Sequence, residues 1–63
     1  MRYFFYTLGA ESNSYIFRVY EIINNEIEFL KELKSNIWSS SVVKKYLVVH
    51  QNLKPDDSIK ELT

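Results

Sequence analysis

The chain has no cysteine, one glycine, one proline and one histidine in 63 residues. Without cysteine no disulfide can tie down a small core, and no thiolate is there to hold a metal. A single glycine excludes the glycine-rich phosphate loops of nucleotide-binding proteins. Neither sign of charge is in excess, since eight Lys and Arg balance eight Asp and Glu, so the basic footprint of a phosphate-binding protein is missing. No apolar run nears the roughly 20 residues that span a bilayer. The opening Met1-Arg2-Tyr3-Phe4-Phe5-Tyr6 also lacks the form of a signal peptide. These absences together predict a cytoplasmic protein with no membrane partner.

What is present belongs to a packed domain: 46% hydrophobic and 16% aromatic residues, far from the composition of disordered chains. One domain spanning residues 1 to 63 is expected. At this length a single core barely offsets the entropy of ordering the backbone, and a second subunit is the staple that remains once disulfides and thiolate metals are gone. Ile, Asn, Lys, Tyr and Phe are heavily used while Gly, Pro and Ala are scarce, the bias that AT-rich coding produces.

Aromatic and β-branched types fill residues 2 to 8 and read as a strand. Gly9 to Ser14 gathers turn-forming residues and predicts a loop of about five or six residues, after which Tyr15 to Ile23 makes a second strand. Side chains alternate in a strand, so Phe4, Tyr6 and Leu8 point one way and Tyr3, Phe5 and Thr7 the other. On the second strand Tyr15, Phe17 and Val19 oppose Ile16, Arg18, Tyr20 and Ile22. Neither face is polar.

Apolar residues at Ile27, Leu30, Leu33 and Ile37 have a helical spacing, and Asn25 with Glu28 resembles a capping box, which predicts a helix over Glu26 to Trp38. The competing reading makes Asn24-Asn25 a tight hairpin turn with Glu26 to Phe29 as a third strand, which Leu30 and Leu33 fit poorly. Trp38 is expected in the core. Val42 to His50 is β-branched and reads as a strand from about Lys44. Pro55 ends it, and residues 55 to 63 are expected as a short helical turn or a frayed tail. The predicted fold class is therefore α+β, a small antiparallel or mixed three-stranded sheet in ββαβ order with one helix packed on one face. A right-handed crossover would set the last strand beside the first and parallel to the second.

Catalytic chemistry finds few candidates. His50 could combine only with carboxylates such as Asp56 and Asp57, and a metal site needs three or four ligands of set geometry. A solvent-facing histidine is the simpler reading. Ser39-Ser40-Ser41 has no base nearby and reads as a linker. No enzyme activity, metal or cofactor is expected. If the helix covers Phe4, Tyr6, Phe17 and Leu47, the opposite sheet face still displays aromatics, and exposed patches of that kind serve protein interfaces. Tyr3, Phe5, Ile16, Arg18 and Tyr20 are the expected interface, with a homodimer built across this face or an edge strand and a larger host protein as the further partner. The alternative is a single-stranded nucleic-acid binder with Tyr20 and Tyr46 as stacking platform and Arg18 and Lys44 as clamp, which the balanced charge disfavours. A small ligand held between subunits is a third class.

In size, AT-biased composition, absence of catalytic motifs and an aromatic, strand-rich start, the chain resembles the small inhibitors with which phages and mobile elements block bacterial defence, of the anti-CRISPR and anti-Hachiman type. The resemblance is one of type across the whole chain and carries no residue over. It implies a stoichiometric inhibitor that acts in the host cytoplasm by occupying a surface of a larger protein.

Overall fold

Alternating apolar side chains over residues 3 to 23 build the first hairpin. In the computed structural model, which describes residues 3 to 54 and 59 to 62, β1 (Tyr3–Glu11) pairs antiparallel with β2 (Ser14–Ile23), and Glu11 lies opposite Ser14. The loop is thus only Ser12-Asn13, with Ser12 at φ 53°, and the expected longer loop is corrected: Gly9 and Ala10 belong to the strand. A two-residue turn with positive φ at its first position matches the twist of the strands it joins.

The segment expected as a helix is a strand, β3 (Glu26–Ser35), paired antiparallel with β2. Asn24 and Asn25 take φ of 52° and 65°, the left-handed pair of a two-residue hairpin, which asparagine tolerates well. The helical spacing of Leu30 and Leu33 has a different origin. Val19 faces Lys31 while its neighbour Tyr20 faces Phe29, so Leu30 is an extra residue, a β-bulge that changes which residues share a face. Leu30 and Leu33 thereby both pack on the core, three apart, in a strand. Ile37 and Trp38 are left exposed after it, at 61% and 69%, and the expected core placement of Trp38 is corrected; its ring stacks on Tyr15 at 6.2 Å instead.

The segment expected as a strand is the helix, α1 (Ser41–His50). Val42, Val43, Tyr46 and Leu47 recur at helical spacing and all pack on the core, and adjacent Lys44 and Lys45 would break any strand alternation. Ser39 opens the helix by accepting, on its side-chain oxygen, the Ser41 N–H at 3.2 Å. At the other end Asn52 has φ 54°, and the N–H groups of Gln51 and Leu53 both reach the Leu47 carbonyl at 3.0 Å. Satisfying terminal carbonyls through a left-handed residue is the usual way a helix stops.

Strand β4 (Ile59–Leu62) then pairs parallel with β1, Phe4 opposite Ile59. This corrects the helical turn or frayed tail expected there; residues 55 to 58 and 63 lie outside the described residues. The protein is α+β, and its described residues form one helix and a four-stranded mixed sheet in the order β3-β2-β1-β4, in place of three strands in ββαβ order. The strand expected beside the first, from about Lys44 to His50, is the helix instead, and that edge of β1 is taken by β4, parallel to β1. Val43 and Leu47 of α1 are fully buried against Phe4, Tyr6, Phe17 and Val19, so the covered face is the one bearing Phe4, Tyr6 and Phe17, and the segment covering it is residues 41 to 50 and not Glu26 to Trp38. Leu47 contributes from the helix and not from the sheet.

Candidate functional site

Helix α1 covers one side of the sheet and leaves the other open. The register places Tyr3 opposite Ile22, Phe5 opposite Tyr20 and Thr7 opposite Arg18, and β3 brings Ile27 beside Ile22 and Phe29 beside Tyr20. These residues share the open face. The five expected interface residues, Tyr3, Phe5, Ile16, Arg18 and Tyr20, are all on it.

Its centre is an aromatic row crossing three strands. Phe5 stacks on Tyr20 with ring centroids 4.9 Å apart and 14° between planes, and Phe29 meets Tyr20 edge-on at 5.4 Å. Such contacts add roughly 0.5–1.5 kcal/mol per pair beyond area burial. The row covers its own middle, so Phe5 and Ile16 are already buried within the chain and have little surface left to give a partner. Exposure lies at the margins, on Ile27 at 67%, Phe29 at 54% and Tyr3 at 45%. Leu62 of β4 adds to the patch, next to Lys60, and a shallow cleft of about 300 Å³ between Tyr3, Phe5, Ile22 and Leu62 marks the β4 side.

Arg18 is not a free clamp. Its Nε donates to Glu32 Oε1 at 3.1 Å across the strand pair, and both side chains remain well exposed, so the pair adds little to stability and mainly neutralises the polar end of the face. The four residues of the nucleic-acid alternative do not assemble: Tyr20 and Arg18 are on the open face, whereas Lys44 and Tyr46 ride on α1 at the other side. His50 is exposed at the end of α1 with its ring 5.2 Å from that of Tyr46. Asp56 and Asp57, its expected companions, fall outside the described residues, among which no three His, Cys, Asp or Glu side chains gather where a metal could be held.

On the closed side the Tyr6 hydroxyl donates to Glu61 Oε2 at 3.5 Å. Burial, and then the neighbouring Glu61 carboxylate, push Tyr6 above the usual phenol pKa, against a smaller opposing effect of Ser40. This contact ties β4 to the core.

Ile27 and Phe29 are the open-face residues that sequence reasoning misplaced, because a helix was expected there. The signal was in Asn24-Asn25: taken as a two-residue turn, it sets Ile27 beside Ile22 and Phe29 near Tyr20 by simple counting. Comparison with known protein families, curated proteins and solved structures gives no match, so the reading of this face rests on its own geometry.

Proposed function

We propose that the protein is a non-enzymatic inhibitor that works as a homodimer and docks the open face of its sheet on a larger host protein, a component of bacterial defence. The observation that carries this reading is the exposed apolar margin of Tyr3, Ile27 and Phe29 around a pre-stacked aromatic row. Aromatic anchors already held by their neighbours lose little freedom on docking, which is why such rows concentrate binding energy. The molecule measures 36 × 21 × 16 Å, and its broad face is on the scale of the ~800 Å² that a standard interface takes from each partner. The bacterial-defence target is the part that the resemblance implies.

The test is to express the protein in bacteria carrying defence systems one at a time and score phage plating. One system should be relieved, and Ile27→Ser with Phe29→Ser should restore its protection while the purified variant keeps the wild-type circular dichroism. Inhibition undiminished by the folded double variant would count against the open face. Relief of no defence system would count against the defence target. Tight, Phe29-dependent binding of a single-stranded oligonucleotide would favour the nucleic-acid alternative instead.

A further inference from the structure

Strand β3 ends the sheet, and among the described residues nothing pairs with its outer edge. Alternate N–H and C=O groups along that edge therefore point to solvent, a template that another strand can extend. The bulge at Leu30 bends the strand and splits this edge in two, leaving Lys31 to Ser35 as an unbroken stretch.

We propose that this stretch pairs with the same stretch of a second copy, antiparallel, about a two-fold axis through Leu33. Side chains of a continuous sheet must stay on their own faces across the new pair. Lys31, Leu33 and Ser35 belong to the helix side with Val19, Phe17 and Tyr15, while Glu32 and Lys34 belong to the open side with Arg18 and Ile16. An axis at Leu33 meets that requirement. It sets Leu33 against its own copy, Lys31 against Ser35, and Glu32 against Lys34 twice over. Slipping by one residue puts opposite faces together. Slipping by two sets Glu32 against Glu32 or Lys34 against Lys34, and directly opposed like charges are destabilising. Charge and pleat thus select one register, with the self-complementarity that a two-fold interface needs.

A second feature lies at the same edge. Between β3 and α1 runs an open groove of about 290 Å³ with Leu33, Val42, Tyr46 and Val49 among its lining residues, and Val49 is 63% exposed. Pairing through Leu33 sets the grooves of the two copies side by side across the leucine pair, with Lys34, Lys45 and His50 also on their lining. Five residues a side is less than a standard interface, as in weak, transient associations. The inference deepens the homodimer part of the function proposed above, rests on that reading, and leaves the open face free for a host protein.

Sedimentation velocity of the purified chain, from about 5 μM to about 1 mM, tests it with two charge variants. E32K carries lysine at both open-side positions of the stretch and K34E carries glutamate at both. Each alone should self-associate about tenfold or more weakly than the wild type, and an equimolar mixture of the two should recover a dimer of mixed composition. In the wild type, amide exchange over residues 31 to 35 should slow as concentration rises, which checks the edge even if a variant folds poorly. A wild type that stays monomeric overturns the proposal, as do variants that associate unchanged or a mixture of folded variants that remains monomeric. If Ile27→Ser with Phe29→Ser abolishes the dimer while E32K and K34E do not, the copies meet through the open face and the edge proposal fails while the homodimer stands. If the charge variants become monomers yet still inhibit, the edge pairing holds and the requirement for a dimer in the function is what fails.

Discussion

Four valine and leucine positions on α1 can separate a helix from a strand over residues 42 to 50 by the sign of their response. Val43 and Leu47 are fully buried, while Val48 is 48% exposed. Leu47→Ala removes side-chain atoms packed against Phe4, Phe17 and Val19 and should cost about 2–5 kcal/mol, the range for truncations that leave a cavity. Val43→Ala should cost roughly 1.5–3 kcal/mol from lost burial. Small domains have only about 0.05–0.15 kcal/mol of stability per residue, so either change removes a large share of the total and frees the helix from the sheet. Val48→Ala should do the reverse. At an exposed helix position alanine exceeds valine in propensity by up to about 0.7 kcal/mol, whereas on a strand the loss of a β-branched side chain costs on a scale of ~1 kcal/mol. Val49→Ala behaves like Val48→Ala in the monomer. The assay is urea unfolding followed by circular dichroism and by the emission of Trp38, at a protein concentration low enough to exclude association. Destabilisation by Val48→Ala comparable to that by Leu47→Ala would refute the helix and the packing drawn from it.

Two more perturbations probe the turn and the closed face. Asn24→Ala and Asn25→Ala each force a side chain that disfavours it into the left-handed region, and each should cost about 1–2 kcal/mol by urea unfolding; Asn25→Gly, free of that penalty, should be neutral or stabilising. Tyr6, whose pKa burial and Glu61 raise above the phenol value of 10.0, ionises more readily in the unfolded chain. Its contribution to stability is therefore complete below the unfolded pKa and is lost as pH rises through the folded one. Tyr6→Phe should flatten the fall in stability above about pH 10, and an alkaline unfolding profile identical to wild type would contradict the Tyr6–Glu61 contact.

The sequence by itself determined that residues 3 to 8 and 15 to 23 are strands of one hairpin, because aromatic and β-branched types crowd both runs on either side of a turn-forming stretch, and side chains of any strand alternate. It did not make the two-residue length of the turn legible. It determined that aromatics exceed what one helix can cover, and the five interface candidates it named share one face. Only the tertiary structure decided the rest. Leu30 and Leu33 are spaced for a helix until a bulge is allowed, and the bulge exists because β2 is there to pair with β3. Residues 42 to 50 have strand-forming valines, yet the closed sheet face needs a cover, and a helix buries Val43 and Leu47 together where a strand would spread them along its length. Ile59 to Leu62 is too short to declare itself and becomes β4 only because β1 offers it an unpaired edge. Local propensity is a matter of tenths of a kcal/mol per residue, and burial of one large side chain is worth several times that, so wherever the two disagreed, packing chose.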